Sequence, residues 1–297
     1  MFLILEKQPT DFGIRLQSVA ERQGLRTLVL TSSEIASSLQ VAFCLSEQDT
    51  HLCLHYQDAT IKTYDIEGIY CSINAFAPGL WERFSPKDAE YAAQETQALW
   101  LAILASLPGR VVNPPALDTL AGTVLSTPEI LYLAHCLGFQ IPMSIDLESG
   151  AVTAELLKQG ISAHYADLGE VWINEVGSAQ SDLINLAQKE NHFRVREKVS
   201  GKPVCITLLG KQSFACQFEA DSSVTPLPNH QVPRPIRTRL QALQKRLNLN
   251  LAEYYFRLIA DDSWVFIGCD RPPTFTVAAY GDLLFERIID YVTGKGG

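Results

Sequence analysis

The opening of the chain constrains its fold more than any other stretch. MFLILE is an apolar run of strand length, and RTLVLT is a second one. Between them DFGIRLQSVAERQG carries Ile14, Leu16, Val19 and Ala20 at helical spacing, with Gly24 as a stop. A strand, a helix and a strand in that order pair in parallel with a right-handed crossover. The first lobe is therefore expected to be α/β. AFCLSEQDTHLCLHYQDATIKTYDIEGIYCSI then reads as strands and hairpins, with alternation in HLCLHY and TIKTY. SPKDAEYAAQETQALWLAILASLPG is a long helix with Ser85 as its N-cap and Pro86 at its first position. RVVNPP closes this region, because Asn-Pro-Pro is a stiff turn.

Beyond that turn, TPEILYLAHCLGFQIP reads as a helix stopped by Gly138, followed by a strand IPMSI. AVTAELLKQG and SAQSDLINLAQK have helical patterning, with EVWINEV as a strand between them. FRVREKVSGKPVCITLLGKQSFACQFEA is hairpin-rich, PIRTRLQALQKRLNL is a helix, YYFRLIADDSWVFIG is a strand pair, and YGDLLFERIIDYV is a closing helix. The expected division is an N-terminal α/β domain over 1–114 and a second region over 115–297. Within the second, 146–200 form a reduced middle lobe and 201–297 a C-terminal lobe.

At 297 residues, 47% hydrophobic and 19% charged, the chain has the composition of a globular protein with a sizeable core. Its formal charge of -9 argues against general binding to nucleic acid or anionic membrane. The seven cysteines are odd in number and lack the paired spacing of a zinc site, so reduced, packed thiols in a cytoplasmic protein are expected. No stretch is long and apolar enough to span a membrane.

RVVNPP, AHCLGFQIP and CITLLGKQSFAC, in that order and spacing, resemble the ATP-grasp superfamily. Within it, the chain is similar to the ligases that mature microviridin-type peptides (graspetides). The resemblance implies an N-terminal parallel-sheet α/β lobe (pre-ATP-grasp) followed by an ATP-grasp-like α+β region with a reduced middle lobe. It also implies a homodimer. Such enzymes hold ATP between two β-rich lobes, phosphorylate a carboxylate and let an amine or hydroxyl attack the acyl phosphate. That chemistry needs lysines on the phosphates and oxygen ligands around Mg²⁺.

Carried onto this chain, the family pattern meets substitutions at most of those positions. The first phosphate lysine falls on Thr127 and the second on Ile173 or Asn174. The arginine opening the xITxxG strand falls on Cys205, and the first metal-side aspartate on Phe256. The Glu-x-Asn-Pro end of the last strand becomes Gly268, Asp270 and Arg271, and the paired arginines of the first lobe become Cys71 and Ser72. Glu197 and Val199 match the linker that faces the adenine ring, so Glu197, Val199 and Asp270 are the expected remnant of a nucleotide cleft. Losing one electrostatic stabiliser in a water-excluded site costs about 10²–10³-fold in rate. Losing this many removes useful phosphoryl transfer.

Other constellations have simple readings. Asp261 and Asp262 suit a hairpin turn. His51 and His55 share a strand face but lie too far apart along it to share a metal easily. Cys269, beside Asp270 and Arg271, is either a thiol with a lowered pKa or a packed one. From Ser222 to Ala252 there is no acidic residue, whereas Arg234, Arg237, Arg239, Lys245 and Arg246 fall within that stretch. Arg239 and Arg246, seven apart, share a helix face. This stretch is either a solvated face or a docking surface for a protein or acidic peptide partner.

The expected function is that of a catalytically inactive ATP-grasp-fold protein acting as a binding, scaffolding or regulatory partner, with no cofactor, metal or catalytic residue. The alternative is an active ATP-dependent carboxylate-amine or carboxylate-hydroxyl ligase using ATP-Mg in a rearranged site. There Glu197 and Asp270 survive, and Lys198, Arg196 or Arg271 replace the lost cations.

Overall fold

A computed structural model describes residues 1–45, 50–107, 109–116, 119–142, 144–147, 163–165, 193–197, 199–219, 221, 223–259 and 262–295. The two helical stretches expected over 151–160 and 178–189, the EVWINEV strand with Ile173 and Asn174, and Lys198 lie outside the described residues.

The opening folds as its pattern requires. Strand β1 (Phe2–Glu6), helix α1 (Asp11–Arg22) and strand β2 (Thr27–Thr31) form a parallel βαβ unit, and β1 pairs with β2 in parallel. Helix α2 (Ser32–Ser37) starts from a capping box in which Thr31 and Glu34 satisfy each other's backbone N–H groups. Strands β3 (Gln40–Leu45), β4 (Thr50–Tyr56) and β5 (Ala59–Lys62) form a separate antiparallel sheet. Strand β6 (Gly68–Cys71) then returns to pair in parallel with the other side of β1, giving the order β2-β1-β6.

Every residue of β1 is buried, as in a parallel strand covered on both faces. Leu3 and Leu5 face a core that includes Trp100, Ile103 and Leu104 of helix α3 (Pro86–Ala105), which is capped by Ser85 with Pro86 at its first position. Each of those three side chains contributes about 2 kcal/mol by leaving water. Phe2 and Ile4 face the other way, onto Leu16, Val19 and Ala20 of α1. The expectation that Ile14 joins them is corrected: Ile14 is 58% exposed. Gly13 holds the inward position instead, because the Glu6 carboxylate occupies the space where a side chain on residue 13 would stand.

Helix α4 (Thr127–Cys136) starts with a Ser126–Glu129 capping box, and Gly138 adopts a left-handed φ of 83° just beyond its end. Strands β7 (Ser144–Leu147), β8 (Ala163–Tyr165) and β9 (Phe193–Glu197) make a small antiparallel sheet with β9 in the middle.

The last sheet is the largest. It comprises β10 (Lys202–Leu209), β11 (Gln212–Phe218), β12 (Val224–Leu227), β13 (Leu251–Leu258) and β14 (Trp264–Asp270), in the order β12-β11-β10-β13-β14. Asp262 takes a φ of 61° in the β13–β14 turn, which is the role expected of the acidic pair there; Asp261 lies outside the described residues. One face of this sheet packs on α4 and on helix α5 (Arg234–Arg246) through Ile206, Leu208, Tyr254, Phe256 and Phe266. The other face is covered by helix α6 (Phe275–Tyr280).

Helix α7 (Asp282–Thr293) closes the chain and reaches back to the first lobe. Its Leu284, Phe285, Ile288, Ile289 and Val292 share a core with Phe2, Ile4, Leu16 and Tyr70. Asp282 pairs with Arg15 and Arg22 of α1 at the surface.

Candidate functional site

The face of the large sheet under α6 is where the family resemblance places the metal and phosphate groups, and strand register fixes what stands there. Cys216 pairs with Cys205 across the β10–β11 hairpin, Cys205 with Tyr255 of β13, and Tyr255 with Gly268 of β14. These four residues form one row across four strands. The row corrects the place of the first metal-side position. Phe256 points to the opposite face, where it packs on Phe139, Trp264 and Phe266, and Tyr255 is the residue opposite Gly268.

Aromatic rings cover the cysteine and Tyr255 part of the row, whereas the space beside Gly268 is open. Phe275 of α6 stacks edge-on against Phe218 at 4.8 Å and Tyr255 at 6.1 Å between centroids. Burial pushes the Cys205 thiol well above its ordinary pKa, and it raises Tyr255 as well. Beside the row stands Glu253, fully buried. Its Oε1 accepts from the Thr276 backbone N–H and hydroxyl, both at 2.6 Å. Its Oε2 accepts from the N–H of Thr274 at 3.0 Å and of Phe275 at 3.2 Å, and from the Tyr255 hydroxyl at 3.3 Å. Thr207 in turn donates to the Thr276 hydroxyl at 2.8 Å.

Glu253 and Cys216 are the residues that reading the sequence missed. The donor atoms of Cys205, Cys216 and Glu253 lie within 4.8 Å of one another, the single such group among the described residues. A carboxylate offers about four lone-pair sites, and Glu253 already receives five hydrogen bonds. An ion seated on the two thiols would have to strip the start of α6. The hairpin itself signals the cysteine pair, since a Gly210–Lys211 turn places 205 opposite 216.

Of the remnant positions, Asp270 alone lies on this sheet. Glu197 ends β9, opposite Ala163. Val199 is half-buried and precedes the start of β10, beside the Leu258 end of β13. Asp270 ends β14 opposite Glu253, at the other end of β13. Five residues of strand separate those two ends, about 17 Å. The Asp270 carboxyl is raised by desolvation, although Arg271 offsets part of that.

Arg271 does not reach this face. Its guanidinium donates to the backbone carbonyls of Ala121 and Gly122 and, at 3.5 Å, to Asn74 Oδ1. The low-pKa reading of Cys269 is overturned, because burial drives that thiol up to about 12 and outweighs the nearby arginine. Cys71 is likewise raised to about 12 by burial. The Asn of RVVNPP is a clamp between lobes. Asn113 donates to Leu251 O at 3.0 Å and accepts from Asn250 and Leu251 N–H at 2.8 Å.

Helix α5 distributes the five basic residues around its axis instead of collecting them. Arg234, Lys245 and Arg246 are exposed, while Arg237 and Arg239 are half-buried. The Arg239 guanidinium lies against Gly138 after α4. Arg237 Nε is buried without a partner. His55, one of the two strand histidines, hydrogen-bonds Thr60 across the strand pair at 2.9 Å. No helix among the described residues is long and apolar enough to cross a membrane.

No family model matches the chain, and no curated protein matches it. Solved structures do. It is similar to the macrocyclase MdnC bound with precursor peptide MdnA from Microcystis aeruginosa MRC, at TM-score 0.73 and 14% identity, covering 99% of this chain and 100% of that one. It is similar to a Chryseobacterium gregarium RiPP-associated ATP-grasp ligase in complex with ADP and a leader and core peptide, at TM-score 0.72 and 15% identity over 100% and 97% of the two chains. The ATP-grasp ligase PsnB, complexed with minimal precursor, Mg and ADP, matches at TM-score 0.67 and 14% identity over 98% of each. The chain has the ATP-grasp fold.

Proposed function

We propose that this chain is a non-catalytic protein of ATP-grasp fold that works in the cytoplasm by binding a peptide or protein segment, as a scaffold or regulator. The row Cys216–Cys205–Tyr255–Gly268 carries the reading. Mg²⁺ demands near-octahedral oxygen coordination. The row presents two thiols, a buried phenol and a residue without a side chain. Glu253 is spent on α6, which leaves Asp270 as the carboxylate at the rim. The described residues do not fit a magnesium triphosphate.

A peptide partner is supported by the solved structures of similar fold that hold precursor peptides. The cleft marked by Glu197, Val199 and Asp270 and the basic helix α5 are the two surfaces proposed for it. Isothermal titration with ATP-Mg²⁺ tests the reading, and no heat at millimolar nucleotide is expected. Micromolar binding would overturn it.

The second reading is an active carboxylate ligase. It is favoured by Asp270 at the strand end and by the Mg and ADP that PsnB holds. An ATPase assay with candidate peptides that rises above background selects it.

A further inference from the structure

A cavity of about 100 Å³ lies away from the cysteine row, between the two lobes. Tyr70, Ser72, Asn74 and Asn113 of the first lobe line it together with Arg271 and Pro272 after β14. Its place follows from topology. The chain leaves β1 through α1 to reach β2 on one side, and it returns to β6 on the other side of β1. Connections therefore diverge between the carboxyl ends of β1 and β6, which is where open parallel sheets leave a crevice for ligands. Ser72 stands at that point, with its backbone N–H on Leu5 O at 2.8 Å.

The chemistry of the lining is one-sided. It holds one cation and no carboxylate. Asn113 is fully engaged with the start of β13, so it forms a wall. Arg271 places three of its five N–H groups on Ala121 O, Gly122 O and Asn74 Oδ1, which leaves Nε–H and one Nη1–H without an acceptor among the described residues. The guanidinium has no ion pair within 4 Å among the described residues. Its neighbour Asp270 turns instead to accept the Arg271 backbone N–H at 2.7 Å. Glu6, at the end of β1, spends its carboxylate on the Thr10 N–H and hydroxyl and does not line the cavity. The Asn74 side-chain N–H₂ adds donors at the rim, and the Ser72 hydroxyl adds one more on turning from its long 3.4 Å bond to Leu5 O.

We infer that this cavity is a binding site for a small carboxylate, held by the free N–H groups of Arg271 with Asn74 and Ser72. A guanidinium and a carboxylate make the strongest ordinary hydrogen-bonded pair. The volume fits a carboxylate of a few carbons or the carboxylate tip of a peptide. The site is independent of the function proposed above, and either stands if the other fails.

Titration of the full-length protein, followed by the Arg271 Nε–H signal in ¹⁵N-correlated NMR, tests the assignment. Acetate and propionate are one arm and a short glutamate-containing peptide is the other, with chloride and phosphate as controls. A saturable shift with acetate or propionate assigns a free small carboxylate, and a shift with the peptide alone assigns a chain-borne one. Either supports the site. Ser72→Leu puts a larger apolar side chain on the cavity lining and should abolish binding with Arg271 in place. Arg271→Gln, followed by the Asn74 side-chain amide signal because the Nε–H probe is gone, should weaken it tenfold or more. No saturable shift with either arm, an equal response to chloride or phosphate, or undiminished binding in Ser72→Leu overturns the proposal.

Discussion

Glu253 on β13 and Thr276 on α6 are joined twice, with one carboxylate oxygen accepting both the backbone N–H and the hydroxyl of the threonine at 2.6 Å. A strand carboxylate here does the capping that α6 lacks from its own N-cap side chain. Removing it strands three backbone N–H groups in a buried site, at a cost of about 1–3 kcal/mol for each that finds no water. Glu253→Ala should therefore lose about 3 kcal/mol or more in urea unfolding. A loss under about 1 kcal/mol would show that the joint is not structural.

Two glycines in strands should respond oppositely to Ala. A Cβ on Gly68 would stand 2.6 Å from a Val292 methyl of α7 and 3.0 Å from the Phe2 ring, so Gly68→Ala should cost about 1–3 kcal/mol by overpacking. A Cβ on Gly268 would meet nothing within 4 Å. Gly268→Ala should gain about 0.5 kcal/mol by restricting the unfolded chain. Matched thermal melts of the two variants read the difference, and a destabilised Gly268→Ala would mean that the cleft beside the cysteine row is closed.

The interlobe clamp is equally open to test. Asn113→Ala leaves the Leu251 carbonyl and two N–H groups without their partner. A loss of about 2–4 kcal/mol is expected, with amide exchange accelerated at residues 250 and 251. Unchanged exchange at those amides would refute the clamp.

Glu6 supplies a pH dependence of defined sign. Burial raises its carboxyl above the usual 4.5, although Thr10 pulls the other way. The folded form thus holds its proton at higher pH than the unfolded chain. That contribution is complete below the unfolded pKa and is lost as pH rises through the folded one. Relative to the wild type, Glu6→Gln should gain stability as the pH goes from 4 to 7. Urea midpoints that keep a constant difference across that range would contradict this.

Much of the fold was legible in the chain. The parallel opening, the Ser85 cap, the Gly138 stop and the β13–β14 hairpin follow from local pattern, where a few adjacent residues decide the outcome. The candidate site was legible only as substitutions. Placing the metal-side position on Phe256 missed by one residue, and one residue in a strand exchanges faces; pairing with Gly268 identifies Tyr255.

The sequence by itself determined the elements and the loss of cationic and oxygen-bearing residues at the expected positions, because periodicity, caps and residue identity are local properties. Tertiary structure decided the rest. It set Cys205 against Cys216, bound Glu253 to α6, turned Arg271 toward the 121–122 carbonyls and laid α7 on the first lobe. Those outcomes depend on strand register and on which faces the lobes bury against each other, and contacts between distant segments fix both.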